Sequence, residues 1–268
     1  MTNTCRVCGQ PVAEWATATI LGRHPIRYDR CQSCGLVQTE APYWLDEAYA
    51  TAITTSDIGL VGRNLAQAGV TEAVILGLCD PKQHFLDYGG GYGLFVRLMR
   101  DRGFQFFRQD PFCQNLFAAQ FDAPLETARP YELVTAYEVL EHLTDPVHVL
   151  DQLLQTGRSV LCSTRLLPSP APKPGSWWYY GLEHGQHVAL YTRPALNAIA
   201  HRLGVRVVSD NRSLHLFTRQ PVSETWFRAL RVAGRFAPAL TRLLLGWRLP
   251  VRTLLPADFE QLTGLRLG

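Results

Sequence analysis

Four cysteines lie in two matching pairs near the start of the chain. Cys5 and Cys8 form the first pair, Cys31 and Cys34 form the second, and a glycine follows each pair. A gap of two residues lets both thiolates of a pair reach one ion, and four thiolates make a closed tetrahedral zinc site. The alternatives are two disulfides or a redox dithiol. Because a closed site has no open coordination position, we predict a structural Zn²⁺ ion that takes no part in catalysis.

A glycine-rich segment offers a second kind of chemistry. Asp87, Gly89, Gly91 and Gly93 alternate with other residues directly after a short apolar run. Glycines allow a tight turn and a close approach of a ligand to the backbone, and the helix that follows offers free N–H groups. A dinucleotide site would need a glycine or alanine three residues after its second glycine. Leu94 occupies that position after Gly91, so the spacing does not match a dinucleotide site.

Asp110 ends the next predicted strand and precedes Pro111. An acidic side chain at the end of that strand can accept hydrogen bonds from both ribose hydroxyls of a nucleoside cofactor. An aspartate before a proline can also be a simple turn former. Together with the glycine segment, the position favours the ribose role.

Two histidines lie in a long loop rich in aromatic residues. The loop follows the proline-rich stretch 168–174 and contains WWYYGLEHGQH at 177–187, with His184 and His187 near its end. Aromatic faces can stack on sugar rings, and a histidine with a pKa near about 6.5 can take a hydroxyl proton. We predict His187, ahead of His184, as the catalytic base, because it lies nearer the next helix. The alternatives are that the aromatics only cover the cofactor and that both histidines are structural.

Predicted strands and helices alternate between residues 82 and 218, and each helix ends near a glycine. This alternation predicts an α/β fold with a mainly parallel sheet, helices on both faces and one antiparallel strand from a closing hairpin. The predicted strands are 85–87, 104–108, 132–137 and 159–163, the helices are 94–102, 145–157 and 192–203, and the hairpin strands are 205–209 and 213–218.

Composition restricts the functional class. The 268 residues are 47% hydrophobic and 18% charged, with a net charge of +3. Such a chain is globular rather than disordered, and the mild charge disfavours a dedicated nucleic-acid binder. We recognise neither a signal peptide nor a membrane span, so the sequence predicts a cytoplasmic protein.

The order of motifs predicts four segments. These are a zinc-binding module at 1–40, a helical lid or linker at 41–81, a cofactor-binding domain at 82–220 and a basic amphipathic helical segment at 221–268. Residues 222–248 could contact a membrane surface, although a helix packed on the domain or on a second subunit is the commoner outcome. The pattern does not indicate an oligomeric state.

The glycine segment and EVLEHL at 138–143 resemble class I methyltransferases that use S-adenosyl-L-methionine (AdoMet) and act on small molecules. The resemblance implies a Rossmann-like fold and binding of the methionine part of AdoMet at the glycines. It implies that Tyr137 and Glu138 lie beside the cofactor. Glu138 then either has a catalytic role or is a solvated carboxylate. For His142 it leaves a structural or a substrate-contacting role open.

The N-terminal part extends the resemblance over residues 1–218. The cysteine pairs, with GLVQ at 35–38, are similar to the zinc-binding region of deoxysugar C-methyltransferases. The segment 44–49 resembles bacterial methyltransferases of surface-glycan biosynthesis. The chain departs from the sugar enzymes in lacking their long C-terminal domain.

This resemblance implies a small-molecule acceptor, such as a nucleotide sugar or glycan precursor, methylated on a hydroxyl. The alternatives are methylation of another metabolite, of RNA or of protein. A zinc-ribbon nucleic-acid-binding protein with a degenerate cofactor domain is a further alternative, which the mild charge and the intact glycine segment disfavour.

Overall fold

The computed structural model describes residues 4–50, 57–123, 130–249 and 252–267. The parts of the predicted segments at 1–3, 51–56, 124–129, 250–251 and 268 lie outside the described residues. The contacts group the chain into two compact units that are discontinuous in sequence. Unit 1 comprises Met1–Thr54, Tyr137–Gln152 and Leu161–Gln220, and unit 2 comprises Thr55–Ala136, Leu153–Val160 and Pro221–Gly268. The division into four sequential segments stays a prediction.

Ten strands and eight α-helices make up the described chain. The strands are β1 (Val12–Ile20), β2 (His24–Cys31), β3 (Val37–Thr39), β4 (His84–Tyr88), β5 (Gln105–Gln109), β6 (Leu133–Tyr137), β7 (Ser159–Ser163), β8 (Ala189–Leu190), β9 (Arg206–Ser209) and β10 (Leu214–Thr218). The helices are α1 (Leu45–Ala48), α2 (Leu60–Leu78), α3 (Leu94–Asp101), α4 (Pro146–Thr156), α5 (Arg193–Arg202), α6 (Glu224–Phe236), α7 (Pro238–Leu245) and α8 (Leu255–Thr263).

A six-stranded sheet has the order β5-β4-β6-β7-β10-β9. Strand β4 pairs in parallel with β5 and β6, whereas β9 and β10 pair antiparallel. The predicted α/β fold with a mostly parallel sheet and a closing antiparallel hairpin is confirmed. The strands match the predicted positions to within one or two residues, because their apolar runs are bounded by glycine, proline or aspartate.

Local signals explain why the helices begin and end where they do. Thr192 caps α5, and its hydroxyl accepts a hydrogen bond from the Ala195 N–H at 3.1 Å. Proline in the first turn suits a position where the missing N–H has no helical partner. Helix α3 buries Phe95 and Met99 and stops before Gly103, whose φ of 88° ends the helical path. These ends fix where the intervening loops start.

The N-terminal region of unit 1 contains a regular antiparallel sheet, which the turn-rich sequence did not predict. Its strand order is β1-β2-β3-β8, so two residues from the distant segment 189–190 complete a sheet made by the first 39 residues. Val37 pairs with Leu190, and Gln38 pairs with Ala189. The cysteine-bearing segment is therefore joined by backbone pairing to the loop that carries the two histidines.

The predicted helical segment at 221–268 contains three α-helices, α6, α7 and α8. Helix α6 ends at Phe236 and α7 begins at Pro238, because proline cannot donate the hydrogen bond that would continue α6. Helix α6 packs on α2 within unit 2, where a Cβ on Gly69 would lie 2.5 Å from the Gly234 carbonyl oxygen. Packing on the domain is therefore confirmed. Membrane-surface contact stays a prediction.

Among the helices of the described residues, none has both the length and the apolar character needed to cross a bilayer. The predicted helical segment 41–81 contains α2, and its described residues before α2, 41–50 and 57–59, contain the four-residue helix α1.

Candidate functional site

The glycine-loop region of unit 2 comprises the β4–α3 turn, 87–93, and the segment after β5, 108–122. Asp87 is buried at the end of β4, and its Oδ1 accepts a hydrogen bond from the Thr135 hydroxyl at 2.6 Å. Burial disfavours the ionised carboxylate and raises the pKa of Asp87 to about 7. Asp87 thus stabilises the turn as a buried, hydrogen-bonded group.

The glycines of the turn adopt a backbone that other residues rarely take. Gly89, Gly91 and Gly93 have φ values of 68°, 53° and 82°. A Cβ on Gly93 would lie only 2.3 Å from the Asn115 side-chain oxygen. These positions therefore require glycine, and the backbone surface they leave can be approached closely by a ligand.

Asp110 contacts the glycine turn directly. Its Oδ2 accepts a hydrogen bond from the Gly91 N–H at 2.8 Å, and its Oδ1 accepts one from the Phe112 N–H at 2.9 Å. Each carboxylate oxygen retains a further lone pair that can accept a hydroxyl proton. The structure therefore brings Asp87, Gly91 and Asp110 together in one unit, as the sequence analysis expects. The donors and acceptors suit the ribose and amino-acid parts of AdoMet.

Arg108 is a component that the sequence analysis missed. Its guanidinium is buried and donates to the Gly91 carbonyl at 2.7 Å, to Asp122 at 2.8 Å and to the carbonyl of Cys113. It thereby links the glycine turn to the loop after β5. An arginine in an otherwise ordinary strand gives no sequence signal for this role, because only the folded turn supplies its acceptors.

The four cysteines of unit 1 have the spacing of a tetrathiolate metal site. All are free thiols, and their Sγ atoms lie within 4.8 Å of one another. The Sγ atoms of Cys5 and Cys34 are 3.5 Å apart, as are those of Cys8 and Cys31. Zinc–sulfur bonds of about 2.3 Å in a tetrahedron place sulfurs about 3.8 Å apart, so the group fits Zn²⁺ and is too open for disulfides.

The turns at the two cysteine pairs are alike in structure. Gly9 and Gly35 both have a φ of 74°, and their N–H groups donate to the carbonyls of Cys5 and Cys31, each at 2.9 Å. Two equivalent turns therefore present two thiols each to a common centre, and all four thiols are available to an ion.

The histidine region of unit 1 comprises residues 138–142 and 179–187. The rings of His184 and His187 have centroids 4.9 Å apart, and His142 lies 4.9 Å from His187. Tyr179 packs against His187 at 4.7 Å, and its hydroxyl donates to buried Glu141. The predicted base candidates therefore share one cluster with two residues, Tyr179 and Glu141, that the sequence analysis did not single out.

Hydrogen bonds orient the two loop histidines differently. His187 Nδ1 lies 2.7 Å from the Tyr179 carbonyl oxygen, so Nδ1 carries the proton and Nε2 has the free lone pair. His184 Nδ1 accepts from the Gln186 N–H at 3.1 Å, so its proton is on Nε2. Burial lowers the pKa of His187 to about 4. The expectation of an ordinary histidine pKa there is wrong, and the ring is neutral at physiological pH.

Two carboxylates of this region lie in unusual surroundings. Glu138 has a φ of 53°, which costs energy for a residue with a side chain, and its N–H donates to the Ser163 hydroxyl at 2.9 Å. Such backbone strain at the carboxyl end of a strand often accompanies a functional position. Burial raises the pKa of Glu141 to about 8 and lowers that of His142, so both are held neutral near pH 7.

The N-terminal segment holds the histidine loop in place. The Trp44 ring N–H donates to the Gly185 carbonyl at 2.8 Å, and the Gln186 amide donates to the Ala48 carbonyl at 2.7 Å. The Tyr49 hydroxyl lies 2.8 Å from His142 Nδ1. These contacts join residues more than 90 positions apart, which explains why local sequence patterns do not reveal them. Predicted cofactor residue Tyr137 ends β6 in unit 1.

Comparison with solved structures gives weak overall similarity. The chain is 13% identical to an O-methyltransferase family 2 protein of Planctomyces limnophilus with apigenin, covering 65% of each chain at a TM-score of 0.42. It is 13% identical to human N-acetylserotonin methyltransferase with SAM, over 66% of each chain at a TM-score of 0.42. It is also 13% identical to the O-methyltransferase NcsB1 of neocarzinostatin biosynthesis, over 66% of this chain and 61% of that one at a TM-score of 0.47. The chain spans 65%, 66% and 61% of the lengths of these three structures.

No curated protein matches the chain. A family model described as a methyltransferase domain matches residues 63–210, which are 148 of the 268 residues. The match includes the glycine turn, Asp110 and the histidine region. Because it covers more than half of the sequence, the chain belongs to the methyltransferase-domain family.

Proposed function

We propose that the protein transfers a methyl group from AdoMet to a hydroxyl of a small molecule. The observation that carries this proposal is the glycine turn between β4 and α3, whose Gly91 N–H is hydrogen-bonded to Asp110. The turn offers close backbone approach, and the free lone pairs of Asp110 suit the ribose hydroxyls. Asp87, Gly89, Gly91, Gly93 and Asp110 hold the cofactor in this proposal. Tyr137, at the end of β6, is a further cofactor contact in this proposal, and Glu138, the next residue, has a catalytic role beside the cofactor.

Methyl transfer is a direct displacement. AdoMet supplies an electrophilic methyl group on a sulfonium sulfur, and the protein aligns the acceptor oxygen with the methyl carbon and that sulfur. The carbon–oxygen bond forms as the carbon–sulfur bond breaks, and the hydroxyl proton leaves. Most of the rate enhancement therefore comes from positioning and from proton removal.

In this proposal His187, ahead of His184, removes the proton. Its Nδ1 donates to the Tyr179 carbonyl, and its Nε2 lone pair can accept the acceptor's proton. His184 has its proton on Nε2 because its Nδ1 accepts from Gln186, so it is less suited to the task. A neutral imidazole is also the required form at physiological pH, although its low pKa makes it a weak base.

We propose a sugar or a glycan precursor as the acceptor. Trp178 supports this, because its ring is 68% exposed next to the histidine region and the Arg165 guanidinium lies 5.4 Å from its centroid. Exposed aromatic rings stack on sugar faces, and an arginine can pair with the phosphates of a nucleotide sugar. The four cysteines hold a structural Zn²⁺ ion in this proposal and supply no catalytic group.

The test is incubation with isotope-labelled AdoMet and a panel of nucleotide sugars and glycan precursors, read by mass spectrometry. We expect AdoMet binding by calorimetry and one labelled product that carries an added methyl group. Binding of NAD without binding of AdoMet would overturn the cofactor assignment. Methylation of RNA or protein alone would overturn the small-molecule acceptor.

A further inference from the structure

Three side chains of the histidine region point ligand atoms at one place. One carboxylate oxygen of Glu141 and one ring nitrogen each of His142 and His187 lie within 4.8 Å of one another. When metal–ligand bonds are about 2.0–2.2 Å long, two ligand atoms on opposite sides of the ion lie about 4.0–4.4 Å apart. A small contraction of the cluster would therefore bring all three atoms into coordination distance. This cluster shares no residue with the four cysteines.

One buried oxygen atom of the cluster lacks a hydrogen-bond partner among the described residues. Glu141 has no exposed surface, and its Oε1 accepts the Tyr179 hydroxyl. Within the part of the chain that the structure describes, its Oε2 has no hydrogen-bond partner. A buried polar oxygen without a partner costs about 1–3 kcal/mol, and more when it is charged. A cation bound at Oε2 would supply the missing interaction.

The two imidazoles are already oriented as metal ligands are. His187 donates from Nδ1 to the Tyr179 carbonyl at 2.7 Å, which leaves the Nε2 lone pair free. His142 Nδ1 is 2.8 Å from the Tyr49 hydroxyl. Metal-binding histidines usually use one nitrogen for the ion and the other for an outer hydrogen bond that fixes the ring. Tyr49 and Tyr179 supply these outer contacts.

We infer that Glu141, His142 and His187 form a second metal site, which binds a divalent first-row transition cation. Two imidazoles and one carboxylate suit such ions, and three protein ligands leave coordination positions open, unlike the four-thiolate cluster. This inference rests on the proposed function, because the open position takes the hydroxyl oxygen of the methyl acceptor.

The inference changes how the proton is removed. With the cation bound, His187 is a ligand and not the base. A cation held by Glu141, His142 and His187 would act as a Lewis acid on an acceptor hydroxyl at an open position, and the proton of that hydroxyl would pass to water. The oxygen then forms its bond to the methyl carbon while the carbon–sulfur bond of AdoMet breaks. His142 and Glu141 also become essential, which a simple base mechanism at His187 does not require.

The test is cobalt binding to the full-length protein. Brief chelation should leave one zinc per chain in the tight thiolate site, and Co²⁺ is then added while the visible spectrum is recorded. We expect one saturable Co²⁺ per chain with weak ligand-field bands and no sulfur charge-transfer band, because nitrogen and oxygen ligate it. The absence of saturable binding, or a spectrum showing only thiolate ligation, would overturn the inference.

Variants locate the site. Glu141→Gln and His142→Gln keep the side-chain size and should each abolish saturable binding. Tyr179→Phe should weaken it about 10-fold, because it removes the hydroxyl that donates to Glu141 Oε1 and keeps the carbonyl that accepts from His187. His148→Ala, an exposed histidine on α4, is the matched control and should bind as the wild type does. Binding that survives both ligand substitutions would refute the assignment, and unchanged melting temperatures exclude unfolding as the cause.

AdoMet calorimetry on the same samples separates this inference from the proposed function. Loss of Co²⁺ binding with intact AdoMet binding is the result expected for the ligand variants. A wild-type protein that binds AdoMet but no Co²⁺ would refute the cation site and leave methyl transfer standing. A protein that binds Co²⁺ but not AdoMet would refute the methyl-transfer proposal alone.

Discussion

The glycine-loop region and the histidine region are assembled from the sequence in different ways. The first is made within 36 residues, 87–122, and its main bonds join the turn to Asp110 and Arg108. The second takes side chains from 44–49, 138–142 and 179–187, which are far apart in the chain. A site made from one stretch can be recognised from spacing alone. A site made from three stretches becomes visible only when the fold brings them together.

The two regions also differ in what stabilises them. The glycine turn has its own buried supports, Asp87 and Arg108, inside unit 2. The histidine loop depends on backbone pairing of β3 with β8 and on Trp44 and Gln186. The comparison therefore predicts that damage to the cysteine cluster affects the histidine region far more than the glycine turn.

Loss of the cysteine cluster should have the largest effect. Cys8→Ser or Cys31→Ser should lower the melting temperature strongly and reduce solubility, because structural zinc in small modules contributes about 10–16 kcal/mol. AdoMet affinity per folded molecule should stay similar by calorimetry. Cys79→Ser, at a buried cysteine outside both the cluster and the glycine-loop region, is the control. Wild-type protein that is free of metal yet equally stable would contradict the structural role of zinc.

Loss of the His187 ring should have the next largest effect. His187→Ala should lower kcat by about 10²–10⁴-fold with AdoMet affinity little changed, because it removes the proposed base and, where the inferred cation is bound, one of its ligands. Steady-state kinetics on the identified acceptor, with His148→Ala as control, measures this. A double variant His184→Ala, His187→Ala with near wild-type turnover would remove both histidines from the mechanism.

Substitutions in the glycine turn should affect AdoMet binding and leave the histidine region intact. Asp110→Ala should weaken AdoMet binding by about 1.5–3 kcal/mol, through the loss of charge-assisted hydrogen bonds. Gly91→Val should abolish binding, because its φ of 53° and the close ligand approach both exclude a branched side chain. Calorimetry measures both, with the exposed Asp101→Ala as control. Unchanged affinity in Asp110→Ala would refute its role.

Asp87 should give the smallest effect, a change in the slope of stability against pH. Its pKa is about 7 in the folded protein and 3.8 in its ordinary state. Between these values the folded state binds more protons than the unfolded state, so the free energy of unfolding falls as pH rises, by at most about 1.4 kcal/mol per unit. Asp87→Asn should flatten this slope in denaturant titrations without AdoMet. An identical slope in both proteins would contradict a buried Asp87 carboxyl with a raised pKa.

The sequence predicted most of the sheet because periodic apolar runs end at strong local signals. The turn at Asp87–Gly93 and the capped helix α5 are of this kind. The four cysteines were also visible, because their spacing alone specifies four convergent thiols. All these features are decided by residues close in sequence.

The rest depended on long-range contacts. Strand β8 has two residues and exists because β3 pairs with it, so no periodicity marks it. The low pKa of His187 follows from burial, which a loop sequence does not reveal. Arg108 and Tyr179 became functional candidates only through partners that folding supplies.

The pairing of β3 with β8 also affects the order in which the parts of this sheet can form during synthesis. β8 is made about 150 residues after β3, which at about 5–20 residues per second is a delay of roughly 8–30 s. The four thiols all lie within residues 5–34, and Val188, Thr192 and Arg202 later add hydrogen bonds to this segment. The full set of thiols is therefore available to an ion before β8 is made, and the histidine loop joins a sheet whose other three strands have already been synthesised.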